Sequence, residues 1–234
     1  MRFSYSPYMQ KTFPSRVTGV IAIGGIHSRA DVSSAVGKLY QFADMRLATG
    51  SEGEFPEVQA WRRAFSTMGM KPTQYRCASE ALLRRYRKEG SLPRLHPLVE
   101  LCNATSIAFA IPIAVFDLSC IVGDLTVRQS NGTERHATFE GNIEYPDPQE
   151  IIFADDAGNA HARRWSNRQS RLSAVGDNTT SVMIVAEALH EGATAEMERL
   201  VGDLGQALQQ IFGTSPASTL LLGPDAVFLH PSRG

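Results

Sequence analysis

Two groups of residues in this 234-residue chain are suited to chemistry, and neither is a familiar nucleophile. The first is a run rich in hydrogen-bond donors, Arg164-Trp165-Ser166-Asn167-Arg168-Gln169-Ser170, which contains no acid. A guanidinium there matches a carboxylate or a phosphate, and loops of this kind concentrate binding groups. The second is a pair of basic segments. Between Trp61 and Glu100 nine Lys/Arg stand against three Asp/Glu, and His161 to Arg171 holds four Arg and no acid. The two segments carry thirteen of the 23 basic residues and three of the 24 acidic ones, on a chain of net charge −1. Such a face suits phosphates. Taken singly, Arg76, Arg84 and Arg85 each read as a solvated helix surface in preference to a phosphate contact.

Other chemistries lack their signatures. There is no GxxxxGK[ST], GxGxxG or GxSxG, and Gly24-Gly25 reads as a tight turn. The six histidines show no HxH or HxxxH spacing, and the three cysteines form no CxxC. No metal, cofactor or disulfide framework is therefore expected. Asp155-Asp156 reads as a solvated turn in preference to a cation site. No run approaches the roughly 18 apolar residues of a membrane helix, and MRFSYSPYMQKTFPSR lacks the apolar centre of a secretory signal. A cytoplasmic chain without a membrane partner is expected. With 43% hydrophobic and 20% charged residues, residues 1–234 suit one globular domain.

The elements that must position these groups follow from periodicity. Val17–Ile26 is a short β-branched run and reads as a buried strand. Val32, Val36, Leu39 and Phe42 recur at helical spacing behind Asp31 as N-cap. Val58, Trp61, Phe65 and Met68 mark a second helix face, closed by Gly69. Ser79 opens a third helix, with Leu82, Leu83 and Tyr86 inward, closed by Gly90. Pro97 starts a fourth, whose Leu98, Leu101, Cys102 and Thr105 face the core. Short strand-like runs follow at Ile111–Asp117, Ile121–Arg128, Arg135–Glu140 and Glu150–Ala154, with Asn131-Gly132 as a hairpin turn. Ser181–Ala188 predicts another strand, Ala195–Phe212 an amphipathic helix, then come apolar Leu220–Leu222 and a polar tail. Helices first and strands afterwards predict an α+β domain, a mixed or antiparallel sheet packed on helices.

One ordered set of residues is more specific. Pro72-Thr73-Gln74-Tyr75-Arg76-Cys77-Ala78-Ser79-Glu80 leads to Leu92-Pro93, then to His96-Pro97-Leu98-Val99-Glu100 and Asn103. Ile111-Pro112, Phe116-Asp117, Gly123-Asp124-Leu125 and Val127-Arg128 follow. This order resembles the B3/B4 domain of phenylalanyl-tRNA synthetase β subunits. Arg164-Trp165-Ser166-Asn167-Arg168-Gln169 is similar to the freestanding members of that family. The resemblance covers residues 57–189.

It implies a B3/B4-like domain that accepts the 3′ end of an aminoacyl-tRNA and, in the synthetase, hydrolyses wrongly esterified tyrosine. Water attacks an ester carbonyl, and positioning groups suffice without a covalent nucleophile. By resemblance the site lies where the Asn103 helix, the Pro112–Asp117 strand and the Trp165–Gln169 loop converge. Asn103 and Gln169 would hold the water, and Asp117, Ala114, Trp165 and Arg168 would contact substrate. Arg76, Arg84, Arg85 and Arg164 would follow the tRNA backbone. Two readings stand for Asn103, a water or amino-group ligand or a helix cap, and Asp117 likewise can bind an amino group or fix its own turn. Ala114 stands where the synthetase segment has histidine, so no general base is evident. A slow deacylase, or a protein binding a free amino acid or other small molecule, are the two expectations.

Overall fold

The computed structural model describes residues 1–223 and 226–230, so the end of the polar tail lies outside the described residues. Its centre is strand β10 (Ser181–Ala188), where the sequence prediction and the structure coincide. Side chains alternate across a strand, and here both faces are apolar. Val182, Ile184, Ala186 and Ala188 pack on one side, Met183 and Val185 on the other. β10 pairs antiparallel with β2 (Val17–Gly24) and β3 (Ile113–Asp117), and β11 (Ala217–Leu221) flanks β2. The first face carries helices α2 (Ser33–Leu47), α5 (Pro97–Phe109) and α6 (Ala193–Phe212). α6 approaches β2 so closely that a Cβ on Gly19 would meet Val201 Cγ2 at 2.5 Å and Met197 Sδ at 2.7 Å. Glycine is used there for contact.

The second face packs on a six-stranded sheet. Its order is β12 (Phe228–Leu229), β1 (Arg2–Tyr5), β4 (Leu125–Gln129), β7 (Ile151–Asp155), β8 (Ala160–Arg163) and β9 (Arg168–Gln169). Only β1 and β4 run parallel, so this sheet is mixed and the first antiparallel. A two-stranded ribbon, β5 (His136–Ala137) with β6 (Ile143–Glu144), stands beside it. The short helix α1 (Pro7–Thr12), α3 (Pro56–Thr67) and α4 (Ala78–Glu89) complete the α+β domain. Trp61, Phe65, Leu101 and Phe116 are buried as the sequence predicts.

Several expectations need correction. Phe42 lies on α2 but is 56% exposed. Asp31 accepts the Ser33 N–H at 2.9 Å, one residue short of a cap position, because Val32 is the N-cap. Leu82 is half-buried, because it packs against the cluster around Leu83, Tyr86 and Ile107 and also lines a cavity. Asn131-Gly132 forms a turn, with Asn131 Oδ1 accepting the Thr133 N–H, yet β4 and β5 do not pair with each other. β1, α1 and β8 were not predicted at all. Asp155 is no solvated turn. It is buried at the end of β7, taking N–H groups of Val122, Ala157 and Asn159 and the imidazole of His161.

His161 in turn meets Ser173 Oγ at 2.8 Å, which completes a Ser–His–Asp chain. All three are buried, and the chain pins the β7–β8 turn to the segment after β9. Burial pushes the Asp155 carboxyl upward, but its hydrogen bonds from Asn159, His161 and Val122 hold it below the usual range. Phe116 sits at the centre of the second core, its ring 5.3 Å from that of Phe153. Phe116→Ala is expected to lower the unfolding free energy by about 3–5 kcal/mol. Urea denaturation of the two proteins measures it.

Candidate functional site

Strand parity places one charged residue among the apolar ones of β10. Glu187 follows Met183 and Val185 on the face turned to the six-stranded sheet, and it is buried. Its Oε1 accepts two hydrogen bonds, from the Tyr5 hydroxyl at 2.6 Å and the Trp165 indole at 2.8 Å. The Trp61 indole donates to its backbone carbonyl at 3.3 Å. Burial pushes the Glu187 carboxyl above its ordinary range, against the opposing pull of Tyr5, Trp165 and Arg16. Arg16 lies under Tyr5, its guanidinium carbon 3.4 Å from the ring centre, and donates to Thr18 Oγ1. A buried carboxyl needs such partners.

Above Glu187 is a cavity of about 270 Å³. Its walls are apolar: Ala81 and Leu82 of α4, Ile113 and Ala114 of β3, and Phe153, Ala162 and Val185 of the facing sheets. Its polar atoms are few. Asn103 lies in the middle of α5, not at its end, so it caps nothing, and its amide makes no hydrogen bond to the described residues. Gln169 Nε2 donates to the Val115 carbonyl, which ties β9 to β3 and leaves Oε1 as an acceptor. Arg168 lines the cavity with its Nη1 2.9 Å from Glu144. Glu187 Oε2 has no partner among the described residues and belongs to the lining.

The Arg164–Asn167 loop closes one side under backbone constraint. Arg164 and Trp165 both have positive φ, 47° and 56°. For residues with side chains this costs roughly 1–3 kcal/mol each unless the surroundings impose it. Three bonds impose it: Trp165 N–H to the Ile151 carbonyl at 2.7 Å, the Trp165 indole to Glu187, and the Asn167 amide to the Arg76 carbonyl at 2.7 Å. The Ser166 carbonyl accepts the Ala78 N–H, which anchors the loop to the start of α4.

The structure thus brings together Asn103, Ala114, Trp165, Arg168 and Gln169. Asp117 is not with them. It ends β3, where its carboxylate takes the Ser119 N–H and hydroxyl and, at 2.6 Å, the Thr179 hydroxyl. A strand-end residue has found its nearest donors. The basic segments also need correction. Arg76 lies 3.4 Å from Glu80, Arg84 3.2 Å from Glu52 and Arg85 2.9 Å from Glu89. Arg164 packs over the Tyr75 ring and lies 3.9 Å from Glu150. Two of these acids, Glu52 and Glu150, come from outside the basic segments, so local counting overstated the free positive charge. Glu187 was missed. Its signal was an acidic residue at an inward position of SVMIVAEA.

A carboxyl held above its ordinary value contributes stability fully below the unfolded value, near 4.5, and loses it as pH rises through the folded value. Glu187→Gln keeps an acceptor for Tyr5 and Trp165. Its unfolding midpoint should therefore lack that part of the decline above pH 4.5 shown by the wild type. Thermal denaturation of both across pH 4–8 (roughly, the window between carboxylate and neutral titrations) checks the sign.

Comparison with known proteins gives a family. Residues 60–207, more than half the chain, match the B3/4 domain. The phenylalanine–tRNA ligase beta subunit of Nitrobacter winogradskyi is 34% identical over 142 residues, 57% of this chain and 17% of that protein. The corresponding subunit of Shewanella oneidensis is 25% identical over 88 residues, 38% of this chain and 11% of that protein. The chain therefore spans less than a fifth of these relatives. An N-terminal fragment of the phenylalanyl-tRNA synthetase beta-subunit from Pyrococcus horikoshii superposes with a TM-score of 0.49 and 11% identity, covering 92% of this chain and 49% of that one.

Proposed function

The chain belongs to the B3/4 domain family, and from that premise we propose that it receives the 3′ end of an aminoacyl-tRNA and hydrolyses the ester in trans. The observation that carries this reading is the cavity over Glu187, closed below by a carboxyl and edged by unengaged amide atoms of Asn103 and Gln169. The amino-acid side chain enters the apolar cavity. Glu187 Oε2 then meets a polar atom on it, and a hydroxyl satisfies that oxygen whether the carboxyl is ionised or protonated. A purely apolar side chain would leave Oε2 without a partner, which is costly in a dry site.

The ester lies at the rim. Asn103 presents both a donor and an acceptor, so it can hold the water or the developing oxyanion. Gln169 Oε1 can take a water proton in a hydrogen bond. The water oxygen adds to the carbonyl carbon, the ester C–O bond breaks, and the proton ends on the ribose oxygen. Ala114 offers no base, and Glu187, whose Oε1 takes two donors, is assigned with its Oε2 to the side chain at the floor and not to the ester at the rim. Proton transfer is left to water and the neighbouring tRNA hydroxyl. A placed acid or base typically contributes about 10²–10⁴-fold, so the proposed enzyme is slow. Arg168, with Arg76, Arg84, Arg85 and Arg164 further out, is assigned to phosphates.

One observation favours a second reading, a binder of free amino acids. The arginines assigned to tRNA are already ion-paired. Deacylation of several mischarged tRNAs tests the first reading. Asn103→Ala is expected to lower kcat by about 10-fold or more, from lost positioning, and Arg168→Ala to raise KM. Binding should weaken steeply with salt. Full activity in both variants would displace the site. Inactivity on every tRNA, with salt-independent binding of a free amino acid, would put the second reading in place of the first.

A further inference from the structure

The carboxyl at the cavity floor is served by residues that lie ahead of the family segment. Tyr5 of β1, Arg16 just before β2 and Thr18 of β2 all precede residues 60–207, and all three are buried. Two arginines are buried among the described residues, and their surroundings differ. Arg163 lies between two carboxylates, Glu144 at 2.7 Å and Glu150 at 2.8 Å. Arg16 has no salt bridge among the described residues, and its Nη1 has no hydrogen-bond partner. A guanidinium buried without a carboxylate beside it weakens a fold. Its charge acts through what it does touch.

Those contacts form a directed chain. Arginine can only donate, so Arg16 Nε gives its hydrogen to Thr18 Oγ1 at 3.3 Å. The Tyr5 hydroxyl gives its hydrogen to Glu187 Oε1 at 2.6 Å, so its oxygen accepts from the Thr18 hydroxyl, 2.9 Å away. Each hydroxyl thus has a single orientation, and such chains polarise along their length. Burial and the neighbouring carboxyl push the Tyr5 phenol well above its ordinary range, so it keeps the proton that it donates. The Trp165 indole, also a donor only, takes the same Glu187 oxygen. Oε1 is therefore always an acceptor. A proton on Glu187 belongs to Oε2, which has no partner among the described residues and is not shut off from solvent.

That oxygen has two states with opposite roles. Ionised, it accepts a hydrogen bond; protonated, it donates one. Among the groups around the carboxyl, Tyr5 and Arg16 titrate or carry charge, while Thr18, Trp61 and Trp165 do not. Across the cavity, Arg168 is engaged by Glu144. Burial pushes the Glu187 carboxyl up, and Tyr5, Trp165 and Arg16 oppose it. Of these, Arg16 alone brings a full positive charge. We propose that Arg16, acting through Thr18 and Tyr5, is a positioning residue that fixes Glu187 Oε2 as an acceptor, so that the cavity selects an aminoacyl side chain carrying a hydrogen-bond donor. The choice of ligand rests on the aminoacyl-ester reading; the control of the carboxyl by Arg16 does not.

Two measurements keep these apart. The first is a carbon NMR titration of the Glu187 side-chain carboxyl in the full chain, assigned with Glu187→Gln, in wild type, Arg16→Met and Tyr5→Phe. Each substitution removes a charge or a donor that favours the carboxylate, so the titration should move to higher pH in both. Tyr5→Phe leaves Arg16 in place and carries the test where Arg16→Met does not fold. The second is deacylation of one tRNA charged with tyrosine or with 4-aminophenylalanine, whose ring amine donates but accepts poorly. A hydroxyl suits either state of Oε2, whereas the amine suits only the acceptor. The ratio of the two kcat/KM values, amine over hydroxyl, should fall about 10-fold or more as pH drops through the Glu187 titration. In both variants that fall should begin at higher pH. A residue needed only for folding would lower both rates alike and leave the ratio unmoved. An unshifted titration in the folded variants, or one pH profile of the ratio shared by all three proteins, overturns the proposal. If the titration moves and no charged tRNA is hydrolysed, Arg16 still sets the state of the carboxyl and the function proposed above falls alone.

Discussion

The hydrogen bond between the Trp165 indole and Glu187 is the constraint on which the site depends. Without it, two consecutive residues at positive φ would have little reason to stay there, since the left-handed region disfavours residues with side chains. The same carboxyl takes the Tyr5 hydroxyl, which ties the six-stranded sheet to β10. Its backbone carbonyl takes the Trp61 indole, which brings α3 onto the same point. The Trp61 and Trp165 rings then meet at 4.7 Å in an edge-to-face arrangement, the geometry that aromatic quadrupoles prefer. One buried acid therefore organises the join of two sheets and a helix. It also forms the floor of a cavity.

Such a group is a poor choice for stability alone. Burial opposes its charge, and a well-packed apolar residue would serve a core at least as well. Its place at a cavity floor, with one oxygen without a partner among the described residues, suits the proposed role in reading a ligand. The proposed ligand-facing atoms divide accordingly. Rigid groups on strands and mid-helix hold the side chain and the ester, and loop residues at the rim hold what lies beyond.

The architecture was readable where local pattern and tertiary environment agree. β10, buried on both faces, appeared as an unbroken apolar run, and α5 announced itself by Pro97 at its first position and the spacing of Leu98, Leu101 and Cys102. The convergence of the Asn103 helix, β3 and the Trp165–Gln169 loop was expected from the family resemblance and not from any local pattern. Less legible were features set by partners distant in sequence. Arg84 pairs with Glu52 and Arg163 with Glu150 and Glu144, so counting charge within a window could not find the neutralising acids. β1 is four residues long, and it pairs in parallel with a strand more than a hundred positions away. Asp117 was ambiguous for a different reason. Whether a strand-end carboxylate faces a ligand or a neighbouring hydroxyl depends on where Thr179 comes to rest.

The central claim is that Glu187 reads a hydroxyl on an aminoacyl side chain. The most direct measurement is deacylation of one tRNA charged with tyrosine or with phenylalanine, which differ by that hydroxyl alone, by wild type and Glu187→Gln. The account predicts a kcat/KM for the tyrosyl ester at least about 10-fold above the phenylalanyl ester in wild type, since sites that hydrogen-bond a substrate hydroxyl discriminate at least this well. Glu187→Gln should change that ratio while remaining folded. Equal rates for the two esters in wild type, or a preference that survives the substitution unchanged, would contradict it.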